Sequence, residues 1–256
     1  MKSNDRPQKD SSLRLHVVLA RNGLGSRRAM EDAIASGRVL VNGEPGHVGQ
    51  IVDARSDRIE FDGRLLQDRA PALEYILLNK PRGVLTTAAD DRGRKTVLDL
   101  VDPKVRVFPV GRLDRLSEGL VLLTNDGELA NRLTHPRFGH RRRYLVTVDG
   151  QLAGGDLLRL RKGMVIGDRR TRPAEVRVRS QNGDRTVLAM TLREGRNRQI
   201  RRMLAACGKR VRRLVRTEFA GLRIDSLRPG QQRDLTRAEI AELKRVAGGA
   251  DQGTGT

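Results

Sequence analysis

Residues 111–127 read GRLDRLSEGLVLLTNDG, a stretch in which an acidic residue precedes a continuous apolar run. Asp114 stands between Arg112 and Arg115, and residues 120–123 are typical of a buried strand. The sequence therefore predicts a carboxylate at the edge of a hydrophobic core. An ion pair with a nearby guanidinium would keep Asp114 ionised, and an ionised carboxylate can act as a nucleophile without a general base.

A simpler interpretation is that Asp114 only closes a turn through its own backbone, as aspartate often does in glycine-rich loops. The flanking sequence favours a functional role. Residues 108–110 read FPV and residues 133–136 read LTHP. With these flanks, the stretch closely resembles the active-site motif of the RsuA/RluB family of ribosomal RNA pseudouridine synthases. The resemblance implies that Asp114 is the catalytic residue.

The charge of the chain indicates a polyanionic partner. Lysine and arginine number 51 against 31 acidic residues, which gives a formal net charge of +20. Nucleic acid is the leading candidate for such a partner. Aromatic residues make up only 2% of the chain, so extended base-stacking platforms are not expected. We expect phosphate contacts and RNA shape to dominate binding.

Composition also restricts the class of protein. The 256 residues allow two domains, and the single cysteine, Cys207, excludes internal disulfides and a multi-cysteine zinc site. Cys207 falls on the apolar face of a predicted helix and is expected in the core. No apolar run approaches the roughly 20 residues of a membrane span, and no export leader is recognisable. A cytoplasmic protein without membrane contact is expected.

The N-terminal part predicts a small helix-turn-helix-like α-β module over residues 12–63. Apolar spacing predicts a first helix that buries Leu13, Val17 and Ala20, followed by a second helix capped by Ser26. The strand at residues 39–41 leads into Asn-Gly, a strong hairpin signal.

Arg27 and Arg28 occupy the first turn of the second helix, where the helix dipole disfavours positive charge. They are either solvated surface residues or, with the free N–H groups of the helix end, a site for an RNA phosphate. Residues 19–29 (LARNGLGSRRA) and 37–43 (GRVLVNG) strongly resemble an S4-type RNA-binding domain. The resemblance adds Arg38 to Arg27 and Arg28 as candidate RNA-binding residues.

Composition divides the remainder of the chain. Residues 1–11 and 248–256 are expected to be disordered tails, residues 64–71 a linker, and residues 72–247 the catalytic domain. The resemblance implies an α+β fold. The small S4-like module would be joined to a larger catalytic domain with a mixed, largely antiparallel central sheet flanked by helices.

Residues 141–148 (RRRYLVTV) predict a basic strand with Tyr144, Val146 and Val148 on one face. Taken alone, Tyr144 fits a tyrosine at the rim of a core as well as a platform for an extruded base. In the resembled family the tyrosine of this strand is an active-site residue, which implies the second role. The other tyrosine, Tyr75, lacks this motif context.

A helix near residue 200 lies within a strongly basic segment. Glu194 is the one acidic residue between positions 193 and 216, which favours a phosphate-binding wall over a solvated surface. The basic residues of this segment are Arg193, Arg196, Arg198, Arg201, Arg202, Lys209, Arg210, Arg212, Arg213 and Arg216.

Residues 195–201 (GRNRQIR) resemble the family motif whose last arginine pairs with the catalytic aspartate. The resemblance assigns that role to Arg201 and places Ile200 beneath the uracil ring. Arg196 and Arg198 are the substrate-binding candidates of the same motif. No phosphate-binding loop or dinucleotide fingerprint is present, and the four histidines lack zinc-protease spacing, so neither a cofactor nor a metal is predicted.

The predicted function is conversion of a specific uridine to pseudouridine in ribosomal RNA, with 23S RNA favoured. The target nucleotide must be flipped out of the RNA at a cost of a few kcal/mol, and Arg112 could fill the vacated space. Asp114 could then attack the sugar, attack the base, or promote loss of the 2′ proton, and these routes stay open. The expected partner is ribosomal RNA or a ribosome assembly intermediate, bound by a monomer.

Two other classes of protein are compatible with parts of the sequence. A binding-only ribosome assembly factor would need RNA-binding surfaces but not Asp114, Tyr144 and Arg201 together. A helix-turn-helix DNA regulator would explain only the first domain. The enzyme interpretation accounts for both domains.

Overall fold

The computed structural model describes residues 12–66 and 71–248 and divides the chain into two units, Met1–Leu73 and Glu74–Thr256. The predicted tail at 1–11 lies outside the described residues, as do linker residues 67–70 and all of the C-terminal tail except Gly248. Each unit has its own hydrophobic core.

The first unit consists of two helices and short strands. The helices are α1 (Leu15–Arg21) and α2 (Arg27–Ala35). The strands are β1 (Ser12–Arg14), β2 (Val39–Val41), β3 (Glu44–Pro45), β4 (Ile51–Asp53), β5 (Ile59–Phe61) and β6 (Arg64–Leu65). An antiparallel sheet has the order β3-β2-β5-β6, and β1 pairs with β4.

The second helix and the first hairpin confirm the local sequence signals. The Ser26 hydroxyl accepts a hydrogen bond from Ala29 N at 3.1 Å and so caps α2. Asn42 and Gly43, which join β2 to β3, have φ angles of 55° and 89°. Positive φ at both positions is what a tight hairpin of right-handed twist requires.

The predicted start of the first helix is wrong. Leu13 belongs to β1, where it pairs with Val52, and α1 begins only at Leu15. The buried helix residues are consequently Leu15, Val18 and Leu19, with His16, rather than the predicted set. Pairing between distant segments has overridden the local helical spacing.

The first unit extends further along the chain than the sequence suggests. Arg64 and Leu65 pair with Phe61 and Glu60 across a turn at Asp62 and Gly63. These two residues are therefore part of the sheet rather than of the linker predicted from residue 64. The sequence does not reveal this strand because it has only two residues and both are exposed.

The second unit is built on one large sheet. Its strands are β7 (Tyr75–Lys80), β8 (Phe108–Pro109), β9 (Glu118–Thr124), β10 (Arg142–Asp149), β11 (Val165–Ile166), β12 (Arg169–Arg170), β13 (Glu175–Asn182), β14 (Arg185–Leu192), β15 (Val211–Phe219), β16 (Leu222–Arg223) and β17 (Gln232–Asp234). The main path has the order β13-β14-β10-β15-β9-β7-β17. Strands β16 and β8 pair with β15 and β9, and β11 pairs with β12 in a separate hairpin.

Helices flank this sheet. They are α3 (Gly127–Thr134), α4 (Gly154–Lys162), α5 (Gln199–Ala205) and α6 (Arg237–Ala247), with short 3-10 turns at Leu98–Leu100 and Pro136–Phe138. A capping box opens α6, since Thr236 and Glu239 bond reciprocally. No helix in the described part of the chain is both long and apolar enough to cross a membrane.

The sheet is mixed and largely antiparallel, as predicted. Among its pairings within the described residues, only β9 with β15 is parallel. Leu120 and Leu122 pack in one core cluster with residues of α3 and α6, whereas Val121 and Leu123 pack in another. Strand β9 is thus buried on both faces, which explains its unbroken apolar run.

The parallel pairing of β9 with β15 consists of two residue pairs, Glu118 with Val215 and Gly119 with Arg216. Gly119 has φ of 108°, and a Cβ atom at this position would overlap the backbone of Arg216. Glycine is required here both for the backbone conformation and for the close approach of the two strands.

Gly119→Ala should lower the free energy of unfolding by about 3 kcal/mol or more, because backbone strain and overlap add. Gly221→Ala is the matched control, since Gly221 has φ of 87° but no neighbouring atom within 4 Å of the added Cβ. Urea denaturation followed by circular dichroism would measure both variants. Equal losses in the two variants would show that the approach of β9 to β15 is not tight.

Candidate active site

Asp114 lies on the loop between β8 and β9. Ser117 N donates to the backbone oxygen of Asp114 at 2.9 Å and closes the turn. The carboxylate itself forms no hydrogen bond or ion pair with any residue that the structure describes. The turn therefore does not use the side chain, and the carboxylate is available for chemistry.

The backbone around Asp114 is held from three directions. Thr86 Oγ1 donates to the oxygen of Leu113 at 2.9 Å. Gly83 N donates to the oxygen of Arg115 at 2.8 Å, and Arg201 Nη2 donates to the oxygen of Leu116 at 3.0 Å. Three of the four backbone oxygens from Leu113 to Leu116 are thus bonded by other segments, which limits the positions that the carboxylate can adopt.

Lys80 is a fully buried lysine at the end of β7. Its ammonium group donates to the oxygens of Pro81 at 2.9 Å and Val84 at 2.8 Å, with a longer contact of 3.5 Å to Arg115. Burial lowers the pKa of Lys80 to about 8, while the charges of Glu118 and Asp114 partly oppose this shift. Lys80 joins the residues that hold the Asp114 loop, a role that its sequence context did not reveal.

The loop forms one wall of a cavity of about 830 Å³. This volume is in the range of ligand-binding clefts. The predicted site residues that line the cavity are Arg112, Asp114, Tyr144, Arg196, Arg198 and Ile200. Segments separated in sequence by more than 80 positions therefore meet at one site, as the motifs predict.

Tyr144 reaches the cavity from β10. Its neighbours on the same face, Val146 and Val148, are fully buried, while Tyr144 is half-buried and packs against the edges of two core clusters. The predicted alternation along this strand is confirmed. Ile200, on α5, is 4% exposed and presents an apolar surface to the same cavity.

Arg201 lies behind the cavity wall and does not line the cavity. Nη1 donates to the oxygen of Val211 at 3.3 Å in addition to the Nη2 bond to Leu116, and Nε is buried without a partner. Within the described residues Arg201 forms no direct ion pair with Asp114. Burial and the neighbouring Arg198 lower the pKa of Arg201, whereas the charge of Asp114 raises it, so the two residues interact through space.

The two other arginines of the 195–201 motif differ in exposure. Arg196 donates to the oxygens of Arg169 and Ile166, both at 3.0 Å, and is therefore used to hold the β11-β12 hairpin. Arg198 is exposed, lies at the N-cap position of α5 with φ of 48° and no capping hydrogen bond, and lines the cavity. Of the two, Arg198 is better placed to contact phosphate.

The cavity has further lining residues that the motifs did not assign to it. Arg142, Arg216 and Phe219 line it, and the guanidinium carbons of Arg142 and Arg216 lie 5.4 and 5.0 Å from the centre of the Phe219 ring. Composition alone groups Arg216 with the basic wall. Its burial follows from its position on the central strand β15, which composition cannot indicate.

In the first unit, Arg27 and Arg28 are exposed in the first turn of α2, and neither forms an ion pair with a described residue. Arg38 differs from them. Its Nε donates to Asp62 at 2.8 Å, and its guanidinium lies 4.9 Å from the centre of the Phe61 ring. The Asp62 pair raises the pKa of Arg38. The structure thus favours Arg27 and Arg28 over Arg38 as phosphate ligands.

Comparison with known proteins identifies both units. A sequence profile described as RNA pseudouridylate synthase matches residues 74–206, which is more than half of the chain, and a profile of the S4 domain matches residues 13–59. The chain belongs to the RNA pseudouridine synthase family. The second unit of this synthase is the catalytic domain, and the first unit is an S4 domain.

Similar proteins cover nearly the whole synthase. Ribosomal large subunit pseudouridine synthase B of Bacillus subtilis is 39% identical over 237 residues, covering 91% of this chain and 96% of the relative. The dual-specificity RNA pseudouridine synthase RluF of Salmonella typhi is 35% identical and covers 94% of this chain and 82% of the relative. A crystal structure of a pseudouridylate synthase superimposes with a TM-score of 0.66 at 31% identity, covering 90% of this chain and 99% of the other.

No group of three or more histidine, cysteine or acidic residues that could hold a metal ion occurs in the described ranges 12–66 and 71–248. Cys207 is half-buried against the core of β10, β14 and α5, and burial raises the pKa of its thiol. Asp90 and Glu194 also line the cavity, but their carboxylates are bonded to Arg94 and to Gln199. The Asp114 carboxylate, by contrast, has no such partner within the described residues.

Lys80→Met should lower the free energy of unfolding by about 3 kcal/mol, because backbone oxygens at the base of the loop lose a charged donor. The activity should fall as well, since the loop that carries Asp114 is then held at fewer points. Lys104→Met is the control, because Lys104 is exposed in the same domain. Urea unfolding and activity assays on both variants would test the role of Lys80.

The pH dependence provides a second measurement on Lys80. Its pKa of about 8 in the folded protein lies below the ordinary lysine value of 10.5. The unfolded chain therefore binds more protons between these two values, and the stability contributed by Lys80 rises with pH in this window. The stability difference between wild type and Lys80→Met should widen from pH 8 toward pH 10.5. A constant difference would contradict burial of the ammonium group.

Proposed function

We propose that this synthase isomerises a specific uridine of large-subunit ribosomal RNA, with Asp114 as the nucleophile and the target base flipped into the cavity. The observation that carries the proposal is the carboxylate of Asp114, which borders the cavity and has no hydrogen-bond partner among the described residues. The Bacillus subtilis relative is a synthase of the large ribosomal subunit, which supports the choice of RNA.

Base flipping is required because uridine within structured RNA is inaccessible to a side chain at the base of a cavity. The cavity of about 830 Å³ has room for a nucleotide. Arg112 is exposed on the same loop as Asp114 and lines the cavity. It is suited to occupy the space that the extruded base leaves in the RNA stack.

Asp114 initiates cleavage of the glycosidic bond. It attacks the sugar carbon, attacks the uracil ring, or removes the 2′ proton, and the released base then rotates and rejoins the ribose through carbon. The hydrogen-bonded backbone of the Asp114 loop is compatible with each of the three routes. In each of them an ionised carboxylate close to the nucleotide provides the reactive group.

Tyr144 and Ile200 contact the flipped base. The Tyr144 ring stacks on the uracil and its hydroxyl takes part in proton transfer, while Ile200 packs beneath the ring. Arg201 fixes the loop through Leu116, and its charge interacts through space with the Asp114 carboxylate. Arg201 does not form a direct ion pair with Asp114 in this proposal, because its guanidinium donates to backbone oxygens.

RNA is held by basic residues on both units. Arg198 at the cavity mouth, with Arg196 behind it, contacts the backbone near the target. In the S4 domain, Arg27 and Arg28 combine with the free N–H groups of α2 to bind a phosphate, and Arg38 makes a weaker contribution because Asp62 neutralises it. The partner is ribosomal RNA or an assembly intermediate in the cytoplasm, and the enzyme acts as a monomer.

Asp114→Asn should lower turnover by more than about 1000-fold, because the nucleophile loses its charge. RNA affinity should stay within a few-fold or rise, since repulsion between Asp114 and phosphate is relieved. Purified variants would be assayed by tritium release from uridine labelled at carbon 5 and by filter binding. Arg201→Ala should lower turnover in the same assay, and Asp184→Asn, an exposed aspartate, is the control.

The same variants would be tested in cells that lack the gene. Mapping pseudouridine in their ribosomal RNA, with wild type or Asp114→Asn restored, identifies the modified site and subunit. Wild-type turnover in Asp114→Asn would exclude the nucleophile role. No modification by the wild-type protein on assembled ribosomal RNA would favour a binding-only factor.

Replacement of Arg27 and Arg28 by Ala should weaken RNA binding. The slope of the logarithm of RNA affinity against the logarithm of salt concentration should become smaller by about one unit for each phosphate that the variant no longer binds. Activity on a short minimal substrate should change less. Arg55→Ala with Arg58→Ala is the matched control, since both residues are exposed and the same charge is removed from the same unit. Unchanged affinity and salt slope in the Arg27 and Arg28 variant would rule out a phosphate site at α2.

A further inference from the structure

Arg216 is an unusual arginine because it is 2% exposed and lacks an acidic partner. Nε donates to the oxygen of Leu120 at 2.8 Å, the guanidinium packs against Phe219, and Nη2 is buried without a hydrogen-bond acceptor. None of the ion pairs formed within the described residues includes Arg216. A buried charge without compensation is costly, so its presence at the cavity needs a functional explanation.

The sheet directs Arg216 toward Tyr144. The two residues are cross-strand partners in the pairing of β10 with β15, at a register shift between Arg143 and Tyr144. Gly119 lies against the backbone of Arg216 on the other side and fixes its position. Burial lowers the pKa of Arg216, and the neighbouring Tyr144 opposes this shift. The hydroxyl is therefore a polar neighbour of this guanidinium.

The direction of this interaction follows from the chemistry of the two groups. Within the described residues no hydrogen bond joins Tyr144 to Arg216 in the free protein, and Nη2 of Arg216 is a buried donor that is left unpaired. A guanidinium has only donors, so in a hydrogen bond between the two groups the Tyr144 oxygen accepts. Arg142, a second cation that lines the cavity, is also only a donor. When the Tyr144 oxygen accepts from Arg216, the hydroxyl proton points away from both arginines. Since Tyr144 lines the cavity, the cavity is the direction that remains.

The uracil ring becomes negatively charged in each open route of the reaction. Loss of the base from the sugar carbon leaves the electron pair of the glycosidic bond on the ring, where it spreads over N1 and the carbonyl oxygens. Addition of a carboxylate to the ring gives an enolate with its charge on a carbonyl oxygen. A hydrogen-bond donor that is fixed in advance at this position stabilises either species.

We propose that Arg216 is a positioning residue that acts on the flipped uracil through Tyr144. By donating to the Tyr144 oxygen, it holds the ring in place and directs the hydroxyl proton into the cavity, toward the uracil as negative charge develops there. After the new C–C bond has formed, the C5 proton leaves to solvent and N1 gains a proton from water, so neither arginine changes its protonation. This inference rests on the proposed isomerisation and adds a residue to its machinery.

The test is a double-mutant cycle under single-turnover conditions, with uridine-containing ribosomal RNA as the substrate. Tyr144→Phe removes the hydroxyl and keeps the ring. Arg216→Gln should lower the chemical rate by about 100-fold while the RNA concentration at half-saturation changes by less than about threefold. Tyr144→Phe should lower the rate by a similar factor, and the double variant should be no slower than either single variant. Arg223→Gln, an exposed arginine on β16, is the control.

Arg216→Lys provides a second arm in case Arg216→Gln does not fold. It keeps a charged donor and should recover part of the rate in the presence of the Tyr144 hydroxyl but have no effect in the Tyr144→Phe background. Circular dichroism and RNA binding would establish that each variant is folded. A purely structural arginine would change stability and affinity without depending on the Tyr144 hydroxyl.

The outcomes separate this inference from the proposed function. The role of Arg216 would be overturned if Arg216→Gln has the wild-type chemical rate. It would also be overturned if the rate losses of Arg216→Gln and Tyr144→Phe multiply in the double variant. Either result would leave the proposed isomerisation intact. Absence of turnover in the wild type, with Asp114→Asn indistinguishable from it, would overturn both. A rate loss that is shared by Arg216 and Tyr144 and absent from Arg223→Gln is the expected result.

Discussion

The short parallel contact between β9 and β15 is the constraint on which the active site depends. Gly119 permits β9 to approach the backbone of Arg216, and this single junction connects the strand after the catalytic loop with the strand beside Tyr144. A side chain at Gly119 would push the two strands apart. Asp114 and Tyr144 would then no longer border one cavity, although each strand could still form.

The electrostatics of the site follow from the same arrangement. Cations at Lys80 and Arg201 are directed at backbone oxygens around the Asp114 loop, so they fix its shape without neutralising the carboxylate. Arg216 is buried and is the cross-strand partner of Tyr144, and both residues line the cavity. The cavity thus contains a reactive anion and hydrogen-bond donors, which is an arrangement suited to a substrate that becomes negative during the reaction.

Local patterns are sufficient to predict much of this molecule. The apolar run of β9, the Asn42 hairpin and the cap of α6 depend on residues that are close in sequence, and the family motifs place Asp114 and Tyr144 at one cavity. Features that arise from distant pairing are not predictable in this way. Leu13 joins a strand through β4, and the burial of Arg216 depends on the order of strands in the sheet. The motif also implies an Asp114–Arg201 ion pair, whereas the guanidinium bonds to backbone oxygens instead.

The incomplete pairing inside the cavity links folding to substrate. Arg216 has lost its water without gaining a carboxylate, and its Nη2 is buried without a partner. This deficit weakens the folded state of the free enzyme, and an occupant of the cavity that offers an acceptor to Arg216 relieves part of it. A ligand that binds only the folded state raises its stability by mass action. The catalytic domain is therefore least stable when no RNA is bound, and its Tm rises with the concentration of RNA.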